Sequence, residues 1–378
     1  MTSSASPSKE LVGEMVQSVR NKAATTPSSG VDGEVSAAGT TYRPTRRLLA
    51  MPFGSHGRWS RFAIVGFLVA LLAVSEIVYH GFLTWTNLRN LVGQNSSLGL
   101  IAVGMTFVII SEGFDLSVGG MEALSGVLYA GFALHHGVLV GLIVALVAGI
   151  VGGSVNAGII VVLKVNPFIT TLGMASVFSG VAYLYSRSAP ISVSSPSFSA
   201  IGTDSIFGIP WTVVNLTVVM VVGGCMLKWT TFGRNTYAIG GNEMATRLSG
   251  VHTGLVRGAS YVLTGLLAAL GGIILASQIG VGQADIGAST ALTSIAMVVV
   301  GGTSLSGGEG GMWRTLVGFL TLAALANLFN SVNINSNWEL LTEGAILIGA
   351  VAIDMKGRRG SRRQSRAILK RIADIRSS

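Results

Sequence analysis

"VLVGLIVALVAGIVGGSVNAGIIVVL", residues 138–163, carries no charge, and Ser154 and Asn156 are its only polar side chains. A helix needs about 20 mostly apolar residues to cross the hydrocarbon core of a bilayer. This stretch exceeds that length, so it reads as a membrane span and sets the class of the chain. Composition agrees: half of the 378 residues are hydrophobic and 11% are charged, against roughly 25% charged in soluble domains. Further spans are expected near 62–80, 96–112, 117–135, 168–187, 211–228, 258–278, 290–302, 313–331 and 338–355. The expected fold is an all-α polytopic membrane protein with about ten transmembrane helices. The segment 81–95 reads as a partly buried helix beside them.

Outside the spans the chain turns polar and basic. Residues 1–60 are rich in Ser, Thr, Ala, Gly and Pro and carry Arg43, Arg46, Arg47 and Arg58, the composition of a disordered tail. No apolar core precedes a small-residue cleavage site there, so the tail does not read as a signal peptide. The transmembrane domain is expected over 61–356, and a second basic tail over 357–378. With the N-terminus inside, the inner side receives Lys164, Lys228, Arg234, Arg247, Arg257 and Arg314, while the outer side keeps Arg89 and Arg187. That asymmetry follows the positive-inside rule and places both termini in the cytoplasm of a plasma (inner) membrane protein. The net charge of +9 then reads as topology and contact with anionic lipid rather than nucleic-acid binding.

Counting spans reveals a second pattern. Spans 2–5 and 7–10 are offset by an odd number, so corresponding spans run in opposite directions, as in an inverted repeat. "FDLSVGGMEALS" at 114–125 echoes "ADIGASTALTSI" at 284–295, and Asn156 comes to stand opposite Asn327. Gly149, Gly153 and Ala157 recur every four residues, a spacing that lets two helices approach closely. Asn156, Asn327 and Asn330 sit in apolar surroundings, where an amide either bonds a neighbouring helix or lines a polar path. Asp115 and Asp285 each precede a helix start, where an acid caps and complements the dipole. Glu122 lies inside the third span. Two readings stand for it: a functional intramembrane acid, or one that pairs or meets water near the inner end.

The longest inner connection holds "GRNTYAIGGNEMATRLSG", Gly233–Gly250. Within it, Asn242 can cap a short helix, Glu243 meets the positive end of its dipole, and Arg247 lies one turn on. Gly250 supplies a left-handed stop. Met244 and Leu248 share one face. Two turns of helix are unstable alone in water, so that face is expected to dock on the membrane base of the chain itself or on a cytoplasmic partner.

"EGFDLSVGG" (112–120), "NPFITTLG" (166–173), "GRNTYAIGGNEMATRLSGV" (233–251) and "VVVGGTSLSGGEGG" (298–311) resemble, in order and spacing, the permease subunit of ribose-type ABC sugar importers. The resemblance covers roughly 62–356 and extends more loosely to branched-chain amino acid and nucleoside permeases of the same superfamily. It implies a non-catalytic translocation subunit for a monosaccharide, such as a ribose-like pentose, a hexose or a polyol. It also implies a second permease, identical or not, an ABC ATPase holding ATP and Mg, and an extracytoplasmic sugar-binding protein. Gly241, Asn242, Glu243, Met244, Ala245, Thr246, Arg247, Leu248, Ser249 and Gly250 would then form the loop that couples to the ATPase. Asn156, Thr170, Asn327 and Asn330 would be candidates for the translocation path, and Asp115 and Glu122 candidate functional acids. Glu122 departs from the family, which usually has a small or apolar residue there.

Other chemistries find little footing. "LSGGE" at 305–309 imitates an ATPase signature, but the chain contains no G-x-x-x-x-G-K-[ST] phosphate loop. The stretch reads instead as a tight turn between helices. His56, His80, His135, His136 and His252 show no metal spacing, and the single Cys225 forms no internal disulfide. No metal or cofactor is expected in this subunit. An ion-coupled secondary transporter would want paired acids or unwound polar helices at mid-membrane. A membrane scaffold would have no use for a partner loop on the inner face.

Overall fold

The computed structural model describes residues 56–335 and 337–352. Apart from 56–60, the expected tails at 1–60 and 357–378 lie outside the described residues, as do both termini.

Helix α1 (His56–Val78) leads through a short turn to α2 (Trp85–Gln94) and α3 (Ser96–Ile110). The last two meet at Asn95 with a bend of 57°. Asn95 turns its Nδ2 back to the Leu91 carbonyl at 2.9 Å, so the end of α2 keeps a partner as the chain changes direction. Within the expected segment 81–95, residues 85–94 are thus the first arm of a bent helix pair, and 81–84 form the turn before it. α4 (Val118–His136) and α5 (Val138–Val161) reverse at Gly137, whose φ is 92°. α6 (Pro167–Ser186) starts at Asn166, whose Oδ1 accepts from the Phe168 amide at 2.9 Å, with Pro167 at the first helical position.

A compact connection follows: β1 (Ile191–Ser192), α7 (Pro196–Thr203) and the hairpin β2 (Ser205–Ile206) and β3 (Ile209–Pro210). α8 (Trp211–Trp229), α9 (Thr231–Leu248) and α10 (Thr253–Ile279) come next. β4 (Val281–Gly282) pairs antiparallel with β1, and α11 (Thr290–Val300), α12 (Met312–Ser331) and a helix over 337–352 complete the described chain.

Five helices, α5, α6, α8, α10 and α12, are long and apolar enough to cross a membrane, and the bent pair α2–α3 makes a sixth. The protein is therefore an all-α, multi-pass membrane protein. α10 lies at its centre, against α3, α4, α5 and α7. Small residues admit it: Gly149 and Gly153 of α5 lie against Gly265, Ala269 and the Tyr261–Val262 backbone, and Ala157 faces Gly258. The four-residue spacing read from the sequence is this contact, which lets two backbones approach where side chains would hold them apart.

Two segments interrupt the helical order, 111–117 between α3 and α4 and 280–289 between α10 and α11. They bring the two echoing stretches into contact. A Cβ on Gly119 would strike the Gly287 carbonyl, and a Cβ on Gly287 the Gly119 carbonyl. Only glycine permits such an approach.

Candidate functional site

The polar connection after α8 builds the first candidate site. α9 is two helices broken at Asn242, whose backbone is extended (φ −164°, ψ 100°). Asn242 Oδ1 accepts from the Ala245 amide at 3.0 Å and so caps the second, short helix. Gly250 closes it with a φ of 84°. Glu243 and Arg247 pair at 3.3 Å across one turn. Met244 and Leu248 are 64% and 82% exposed, so among the described residues this apolar face is left open.

The root of that helix is fixed by backbone contacts. Gly240 presses against the Ile110 carbonyl and against Gly307 and Gly308. The Gly308 amide donates to the same Ile110 carbonyl at 2.9 Å. "LSGGE" is indeed a turn: Gly307 and Gly308 both have a φ of 72°, and the Ser304 amide donates to Glu309 O at 3.0 Å. Tyr237 Oη donates to Gly310 O at 3.2 Å. Burial holds the Tyr237 phenol above its ordinary pKa, partly offset by the positive charge of Arg314. The end of α3, the part of α9 before its break and the turn before α12 therefore meet.

The second candidate site lies where the interrupted segments cross. Asp115 Oδ1 accepts from the Ser117 amide at 2.9 Å and its hydroxyl at 2.6 Å. The same hydroxyl oxygen accepts from Asn156 Nδ2 at 2.8 Å. Glu122, 2% exposed, receives the Ser97 hydroxyl on Oε1 and the Thr290 hydroxyl on Oε2, each at 2.5 Å. Ser97 is the second residue of α3 and Thr290 the first of α11, so one carboxyl group joins two helix N-termini. The acid does pair, but with hydroxyls rather than a cation.

The remaining sequence candidates separate. Asn327 accepts from Asn87 Nδ2 at 2.9 Å, on the α2 side of the bundle, and Asn330 is exposed. Asn156 and Thr170 are buried on α5 and α6, and neither Asn156 Oδ1 nor Thr170 Oγ1 has a hydrogen-bond partner among the described residues. Asp285 corrects an expectation: it is exposed and makes no capping bond among the described contacts, because α11 begins only at Thr290. Among the described residues, no three His, Cys, Asp or Glu side chains gather as a metal site.

Residues 87–351 match the family described as the branched-chain amino acid transport system / permease component. The chain is 41% identical to the ribose import permease protein RbsC of Bacillus subtilis (strain 168), over 76% of this chain and 91% of that protein. It is 36% identical to RbsC of Escherichia coli (strain K12), over 76% of this chain and 92% of that one. The L-arabinose transport system permease protein AraH of the same strain is 37% identical, over 79% of this chain and 92% of its own length. The chain belongs to this permease family. No solved structure matches it.

Several residues of the permease's two sites escaped the sequence reading. Ser97 and Thr290 are ordinary hydroxyls far apart in the chain, and nothing local marks them as partners of Glu122. Arg257 is different. It pairs with Glu243 at 3.0 Å; the sequence reading takes it only as an inner-side charge, and the signal left unused is the spacing of four from Thr253 and from Tyr261, which puts the three on one face of α10.

Proposed function

We propose that this permease is the translocation subunit of an ATP-driven importer of a monosaccharide, with ribose or arabinose as the nearest candidates. The observation that carries the partner side of this reading is the short helix 243–248. It is capped at both ends, yet it presents Met244 and Leu248 outward from a polar connection. An exposed apolar face on a marginal helix fits a groove in a cytoplasmic partner, here an ABC ATPase that holds ATP and Mg. The sugar side rests on the ribose and arabinose import permeases among its relatives; the family description alone leaves branched-chain amino acids open. In this reading about ten helices cross the inner membrane, with spans 2–5 and 7–10 as an inverted repeat and both termini in the cytoplasm. A second permease completes the path, and an extracytoplasmic binding protein delivers the sugar. The subunit itself performs no hydrolysis.

Leu248→Asp should abolish capture of the ATPase and lower ATP-dependent ribose uptake by about tenfold or more, since a buried unpaired charge at a hot spot costs at least 2 kcal/mol. Membrane insertion should stay normal. Pull-down, and uptake into right-side-out vesicles loaded with ATP and supplied outside with the binding protein, with radiolabelled ribose and leucine in parallel, measure both halves. Normal capture of the ATPase refutes the docking role; leucine uptake without ribose uptake refutes the sugar.

A further inference from the structure

We infer that the Thr253–Arg257–Tyr261 face of α10 is the positioning element that carries displacement of the short helix 243–248 to the interrupted segment 111–117. This rests on the docking role proposed above. The three residues are four apart on one helix and so stack along one side of it. At the lower rung, Thr253 Oγ1 donates to Glu243 Oε1 at 3.3 Å. At the middle rung, Arg257 Nη2 pairs with Glu243 Oε2 at 3.0 Å and donates to the Ser111 carbonyl at 3.4 Å. At the upper rung, Tyr261 Oη donates to the Phe114 carbonyl at 3.2 Å. Asp115 and Ser117 follow at once, and Ser117 is held by Asn156 of α5. The ladder therefore runs from a surface helix to the polar crossing in the middle of the bundle.

Three observations make this face a link rather than a set of separate contacts. Glu243 has two arginine partners, but Arg247 is 61% exposed and Arg257 only 19%. Water screens the first pair and leaves the second the firmer hold. Arg257 serves two elements through one nitrogen; the planar guanidinium offers fixed donors for this, where an ammonium on a flexible stem does not. Behind the ladder, the Tyr261 carbonyl packs on Gly153, so α10 is backed by α5 and transmits a push instead of rolling away from it.

The test uses the whole importer in proteoliposomes, with its ATPase, its binding protein and radiolabelled ribose, and reads sugar moved per ATP hydrolysed. Arg257→Gln and Tyr261→Phe should retain ATPase capture but lower that ratio by about 2- to 30-fold, the range seen for mutations along coupled networks. Tyr261→Phe keeps the ring and removes only the bond to Phe114, so it remains informative if Arg257→Gln folds poorly. The reversed pair, Glu243→Arg with Arg257→Glu, re-forms the ion pair but cannot donate to the Ser111 carbonyl, so the ratio should stay low; full recovery would mean that the ion pair alone matters and would overturn the ladder. Wild-type ratios in both Arg257→Gln and Tyr261→Phe, with ATPase capture lost in Leu248→Asp, overturn the ladder and leave the docking role standing. Retained capture in Leu248→Asp removes the docking role, and the ladder with it.

Discussion

Residues 114–125 and 284–295 open alike, and the structure uses them differently. In the first, Ser117 follows Asp115 by two positions and gives it both an amide and a hydroxyl, and α4 begins at once. In the second, Gly287 stands where Ser117 stands, with a φ of 98°, and α11 waits until Thr290. Asp115 is therefore buried and bonded, whereas Asp285 is exposed without a capping bond among the described contacts. Only the first segment carries an acid within its helix: Glu122 faces the bundle, and Leu292, its counterpart by alignment, is exposed. Two similar segments thus share one close backbone crossing and diverge in chemistry. The side that carries the carboxylate holds the other by its helix N-terminus.

Substitutions can break this comparison at graded strength. The largest effect is expected at the crossing itself. Gly119→Val places atoms where the Gly287 carbonyl stands, and overpacking of backbone against backbone should cost about 3 kcal/mol or more. Thermal unfolding in detergent measures it; a variant as stable as the wild type means that the two segments do not cross there. Next comes Glu122→Ala, which strips the Ser97 and Thr290 hydroxyls of their acceptor and should cost about 2–3 kcal/mol. Glu122→Gln should cost less, because an amide can accept from one hydroxyl and donate to the other. Equal losses for the two would mean that charge, rather than the bridge, is what matters. The smallest effects sharpen the contrast between the aspartates. Asp115→Ala should cost about 1–2 kcal/mol, as for a lost cap, while Asp285→Ala should stay within about 0.5 kcal/mol, as at an ordinary surface position. Equal costs would erase the difference between the segments.

The same contrast marks how far the sequence could be read. Residues 138–163 announce a span, and α5 occupies them. Yet 61% of the most apolar window of α10 is buried, against 28% for α5. Hydropathy cannot separate a helix at the centre from one at the rim, because lipid and protein interior are both apolar. The spacing of Gly149, Gly153 and Ala157 located the contact face of α5 but not its partner. The short helix was legible almost residue by residue, since Asn242, Glu243, Arg247 and Gly250 act within one or two turns. Glu122 was legible as an oddity and no more, because its partners lie 25 and 168 residues away. Asp285 misled for a related reason: proximity to an apolar run suggested a cap, but residues 286–289 separate it from the start of α11.

The short helix also has a consequence for the speed and economy of assembly. Its ends are closed by Asn242 and Gly250, and Glu243 is tethered to Thr253 and Arg257 before any other protein arrives. A segment that folds only on contact gives up conformational freedom at the moment of binding, and that loss is subtracted from its affinity. Here the chain has already been ordered during folding. A small apolar face can then suffice for specific attachment, and encounters need not wait for a loop to find its shape.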